Sequence, residues 1–164
     1  MSVLVVLLVV ASPGLASLTS ANAASAAQSE LLAAMTLARG EAIKRGVQVG
    51  IAAATAPAGG STIAAFAAAN GGTDFSGGWT VFVDADGNGR FDAGEAIVRQ
   101  QPAFNSSVAV TTTGPGAIVF NGRGFLVPST RITLTVCSPS ATKGYQVRVE
   151  PMGLADVAET AGCV

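Results

Sequence analysis

Histidine is absent from this chain of 164 residues. That absence excludes histidine-based triads, the commonest general base and nearly every catalytic zinc site. Aromatic residues are only 5% of the sequence, too few for a platform on which bases or sugars stack. Charge is also scarce: 12% of residues, 9 basic against 10 acidic, giving a net charge of −1. Nucleic acid is therefore not an expected partner, because phosphate binding rests on clustered lysine and arginine. No serine, cysteine or lysine is set beside a base that would activate it, so the chain reads as a non-enzyme. What is present is apolar: 49% of residues, enough for a core and too many for a disordered chain.

The charges are unevenly placed, and the first is Glu30. Ahead of it Val3, Leu4, Val5, Val6, Leu7, Leu8, Val9 and Val10 run unbroken into Ala11, before Pro13-Gly14 interrupts the apolar run. As a helix such a run extends about 14 Å, against a hydrocarbon core of about 30 Å. Three readings fit it. One is a signal peptide with Ala21-Asn22-Ala23 as cleavage site, although no positive charge precedes the apolar run. The others are a buried core helix and a membrane helix whose first part lies outside this chain.

From Asn22 to Arg45 the pattern is an amphipathic helix, with Leu31, Ala34, Met35, Ala38 and Ala42 on one stripe. Glu41 precedes Lys44 and Arg45 by three and four positions, and Gly46 ends the helix. Beyond it, strand periodicity predicts strands at 47–55, 62–68, 78–84, 95–100, 108–113, 117–121, 131–137 and 144–150. Trp79 alternates with Val81 and Val83 and reads as a core anchor. The expected fold class is α+β: an N-terminal helix over 1–45, apolar over 1–21 and amphipathic over 22–45, then an antiparallel β head over 46–164.

The most specific chemical motif is DADGNGRFDAGE at 84–95, which fits the calcium-loop pattern in full. Asp84, Asp86, Asn88, Asp92 and Glu95 would offer side-chain oxygens, and Arg90 its backbone carbonyl. Calcium is thus the one cofactor the residues invite. The flanks VFVD and AIVR are strand-like, however, and an Asp/Asn/Gly-rich stretch between strands also makes a tight hairpin without metal. Cys137 and Cys163, 26 positions apart, either pair as a disulfide in an oxidising compartment or stay as buried thiols. A bridge would close a loop contributing about 3 kcal/mol in the chain-entropy model.

Several segments together resemble the minor pilins and pseudopilins of the GspH/FimT family: LARGEAIKRGVQV (37–49), GGWTVFVDADGNGRFDAGEAIVR (77–99), IVFNGRGFLV (118–127) and ITLTVCSP (132–139). The resemblance implies a structural subunit of a type IV pilus or type II secretion system, with an apolar helix that assembles among neighbours and a β-rich periplasmic head. It also implies other pilins or pseudopilins as partners, single-pass placement in the bacterial inner membrane, and processing by a prepilin peptidase. The family's leader, ending in glycine before a phenylalanine and a nearby glutamate, has no counterpart in residues 1–29. Two accounts fit: Met1 is an internal methionine of a longer reading frame, the simpler one, or the chain is a truncated member. Relatives active in DNA uptake carry basic residues near the C-terminus, where this chain has LADVAETAGCV with Asp156 and Glu159. The reading from another class is a secreted calcium-binding β module with a cleaved signal peptide.

Overall fold

The computed structural model describes residues 2–54, 72–92, 94–114, 116–138, 141 and 143–161, with side chains from residue 18 onward. Helix α1, Ser2–Arg45, is continuous for 44 residues. Its inward stripe is the one the sequence marks: Leu31, Ala34, Met35, Ala38 and Ala42 are buried, preceded by Ala24 and Ala27. Alanine at most of these positions lets the helix lie close against what it covers. Arg45 and Lys44 pair with Glu41 in the last turn. The chain then leaves the helix at Gly46, whose φ of 70° only glycine adopts without strain and whose N–H bonds the Ala42 carbonyl at 2.8 Å.

Two antiparallel sheets follow. The first holds β1 (Gln48–Ala53), β2 (Trp79–Asp84), β3 (Ile97–Gln101), β5 (Ala117–Phe120) and β6 (Leu126–Val127), in the order β3-β2-β1-β5-β6. The second holds β4 (Ala109–Thr112), β7 (Ile132–Cys137), β8 (Lys143–Val149) and β9 (Ala155–Ala161), in the order β4-β7-β8-β9. The head is therefore divided into two sheets where the sequence reading offered one. Seven of the eight expected strands are present within a residue or two of their expected limits, and the eighth, 62–68, lies outside the described residues.

One core joins all three layers: helix residues from Ala24 to Ala42 meet Val49, Ile51, Trp79, Val81 and Ile118 of the first sheet. The same core takes Ile132, Leu134, Val136, Val147 and Val149 from the second. β7 alternates buried and half-buried along its length, as one sheet face against a core requires. β1 does not alternate, because the first sheet is covered on both faces. Its far face packs Ala52, Ala54, Phe82, Phe91, Ala117 and Val119 as a second, smaller cluster, with the Phe82 and Phe91 rings 5.3 Å apart edge to face. Gly50 sits where the Phe82 ring leaves no room for a Cβ.

Trp79 is fully buried as expected, and the Arg99 guanidinium lies 5.6 Å from its ring centroid. The same guanidinium bonds Glu30 of the helix at 2.8 Å. Helix and first sheet are thus clamped through one arginine as well as through the core.

Candidate functional site

The 84–95 segment leaves β2 at its last residue, Asp84, and Phe91 roots it in the smaller core cluster. Asp84 is only 2% exposed. Its Oδ1 accepts from the N–H groups of Gly87 at 2.9 Å and Asn88 at 3.1 Å, and its Oδ2 from Gly89 at 2.9 Å. Gly87 and Gly89, both at φ 74°, turn those amides inward. Glu95 closes the loop from the other end: its Oε1 accepts from the Ala85 N–H and its Oε2 from the Asp92 N–H, each at 2.9 Å. Asn88 lies between the remaining acids, its Nδ2 donating to Asp86 at 2.7 Å and to Asp92 at 2.6 Å. Its Oδ1 accepts from the Arg90 N–H at 2.7 Å.

All six sequence-predicted residues are therefore in one loop, and carboxylate oxygens of Asp84, Asp86 and Glu95 lie within 4.8 Å of one another. Such a group is compatible with a hard cation. It is equally a hairpin whose acids are already engaged by the loop's own amides. Burial pushes the Asp84 carboxyl above the usual carboxylate range, against the opposing pull of the Gly89, Gly87 and Asn88 amides. An acid with a folded-state pKa above its unfolded one favours the fold at low pH and loses that contribution as pH rises between the two values. An Asp84→Asn chain should show a smaller loss of stability on going from acid towards neutral pH, read from urea midpoints across that range.

Cys137 ends β7, and no cysteine among the described residues is a free thiol; Cys163 lies outside the described residues. Ala155–Ala161, where the sequence reading assigned no strand, is β9, with Asp156 paired to Arg148 and Glu159 to Lys143, the latter at 2.6 Å. Its acidic residues are thus neutralised by the neighbouring strand. The Glu30–Arg99 clamp was not foreseeable from the sequence, since a pair separated by 69 positions leaves no local signal. Among the described residues no helix is long and apolar enough to cross a membrane.

Comparison with known proteins follows the fold. The type IV minor pilin FimU of Pseudomonas aeruginosa, in one crystal form, has a TM-score of 0.63 to this chain at 20% identity, over 85% of this chain and 99% of that one. In a second crystal form the TM-score is 0.66 at 19% identity, covering 90% and 99%. The minor pseudopilin EpsH of the Vibrio cholerae type 2 secretion system follows with a TM-score of 0.51 at 13% identity, covering 84% and 96%. No curated protein matches the chain. The family described as "Type II transport protein GspH" matches residues 27–153, from the packed half of the helix through the β8–β9 turn. The neighbours by family and by fold are structural pilins and pseudopilins, not enzymes, and the chain itself belongs to the GspH family of pilin-like proteins.

Proposed function

We propose that the chain is a minor pilin or pseudopilin of a type IV pilus or type II secretion system, built into its filament through the N-terminal half of α1. The observation that supports this is the GspH-family match over residues 27–153 on a chain whose one continuous 44-residue helix begins with an uncharged, strongly apolar run. Among the helix residues with described side chains, the core takes those from Ala23 onward, and the sequence ahead of them holds Val3–Val10, the most apolar run of the chain. A helix segment apolar all round is stable only when covered, and lipid or the helices of neighbouring subunits would cover this one. The head would then stand in the periplasm, with other pilin-type subunits as partners and the inner membrane as the site of storage before assembly. Full-length chain produced in its host should fractionate with the inner membrane, and Leu7→Asp with Val9→Asp should shift it to the soluble fraction. Recovery of the unaltered chain as a soluble periplasmic protein cleaved after Ala23 would contradict the reading in favour of a secreted module.

We further propose a Cys137–Cys163 disulfide. Val136 pairs Tyr145, and Gly144, one residue earlier in antiparallel β8, pairs Thr160 of β9, so Cys137 and Thr160 lie about two strand spacings, roughly 10 Å, apart. Three residues of chain can span up to about 10 Å, a reach long enough for a bridge to Cys137. Cys163→Ser should lower the head's stability by about 2–4 kcal/mol in urea unfolding. Labelling of both thiols in unreduced, denatured protein would refute the bridge.

For the 84–95 loop we propose a self-closed hairpin that needs no ion, because the oxygens of Asp84 and Glu95 already satisfy five backbone N–H groups. The melting temperature should then be the same in millimolar calcium and in excess chelator. A rise in calcium would make the loop a cation site, since a ligand bound only by the native state must stabilise it.

A further inference from the structure

We propose that the exposed apolar patch where the β8–β9 turn meets β6 docks a different filament subunit, one whose facing surface is apolar and edged with carboxylates. The proposal rests on the reading of the chain as a filament subunit. Five apolar side chains make the patch: Ile43 is 51% exposed, Phe125 39%, Val127 37%, Met152 62% and Leu154 56%. They come from three elements that converge on one contact. Gly153, between Met152 and Leu154, lies so close to the Gly124 carbonyl that a Cβ there would overlap it. Gly124, just before Phe125, is packed so that a Cβ would come within 2.7 Å of Ile43 Cδ1. The Leu126 N–H bonds the Pro151 carbonyl at 3.0 Å, holding turn and strand together. Leu126 itself is buried, and its two neighbours, Phe125 just before β6 and Val127 within it, are exposed. Apolar area contiguous over several side chains on a polar-rimmed surface marks an interaction site, whereas scattered single residues do not.

The rim says what kind of partner fits. Arg39 donates from Nε to the Gly124 carbonyl at 3.1 Å, and Arg123 is exposed one residue before it. Neither has a carboxylate partner among the described residues. An apolar centre edged by unneutralised guanidinium groups is complementary to an apolar surface edged by carboxylates.

A second copy of this chain would have to give up existing partners to supply them. Glu30, Glu41, Glu150, Asp156 and Glu159 are in ion pairs of their own. Asp74 bonds the Ser76 N–H, and the four acids of the 84–95 loop bond within that loop. A lipid headgroup does not fit either: from Val10 to Ile43 the helix extends about 50 Å, more than the hydrocarbon thickness, so an apolar end held in the bilayer keeps the patch well clear of it. What remains is a neighbouring subunit of different sequence meeting the far end of this head.

The test is a photo-crosslinking residue at Met152, repeated at Leu154, in full-length chain produced in cells that assemble the filament. A third probe sits at Leu18 on the helix, and adducts are identified by mass spectrometry. Met152 and Leu154 should crosslink to a pilin-type subunit other than this chain. Arg123→Glu should lower that yield about tenfold, while the same charge at the exposed turn residue Ser106 leaves it unchanged. Adducts at 152 and 154 to a second copy, to lipid alone or to nothing, with Leu18 still crosslinking to a filament subunit, would overturn the docking surface and leave the subunit reading standing. No filament subunit captured from any of the three positions would overturn both.

Discussion

Trp79→Ala is expected to lower the stability of the head by about 3–5 kcal/mol, the range for emptying a large aromatic site in a close-packed core. The ring is fully buried among residues of the helix and both sheets, so no single element can collapse into the space. Loss of the ring also removes the face on which Arg99 rests while it holds Glu30. Trp79→Phe should cost far less. It keeps most of the volume and deletes an indole N–H that is buried without a hydrogen-bond partner, a group that costs free energy where it stands. Urea midpoints at unchanged slope would report both variants. Equal losses for Trp79→Ala and Trp79→Phe would show that ring volume is not what the core needs here.

Gly153→Ala should destabilise the head by about 2–4 kcal/mol although it adds one methyl group at a surface turn. Two causes act together. Gly153 has φ 77°, which a residue with a Cβ adopts only with strain, and the added Cβ would meet the Gly124 carbonyl oxygen, a backbone atom held by its bond from Arg39. The turn has to move off β6, breaking the Leu126–Pro151 bond that ties the second sheet to the first. Gly40→Ala is the matched control: it has open space and lies in a helix, so it should be neutral or stabilising by up to about 1 kcal/mol. If the two alanine variants melted together, the close approach at Gly153 would carry no energetic weight.

The helix and most strands were legible because their burial is periodic in the sequence. Leu31, Ala34, Met35, Ala38 and Ala42 mark one face of α1, and Ile132, Leu134 and Val136 one face of β7. β9 was not legible. ADVAETA is rich in alanine and acid, and its place beside β8 comes partly from the Arg148–Asp156 and Lys143–Glu159 pairs, which no local pattern announces. β6 is two residues long, too short for any periodicity to register. The division into two sheets follows from strand pairings between residues far apart in the chain, such as β1 with β5 and β4 with β7. In the 84–95 loop the residue types were visible and their roles were not. Nothing in DADGNGRFDAGE says that Asp84 is buried and triply bonded while Asp86 and Asp92 are held by the amide of Asn88. The docking patch escaped notice for a similar reason: Phe125 and Leu126 are neighbours in sequence, and only the fold shows that one is outside and the other inside.

Filaments sheared from host cells and purified by sedimentation test the subunit reading most directly, with the chain detected by antibody in both the filament and the free periplasmic fractions. The chain should sediment with the filaments, and the variant carrying Leu7→Asp and Val9→Asp should be missing from them while its head remains folded. Filaments free of the chain, with all of it recovered as soluble periplasmic protein, would contradict assembly through the N-terminal helix.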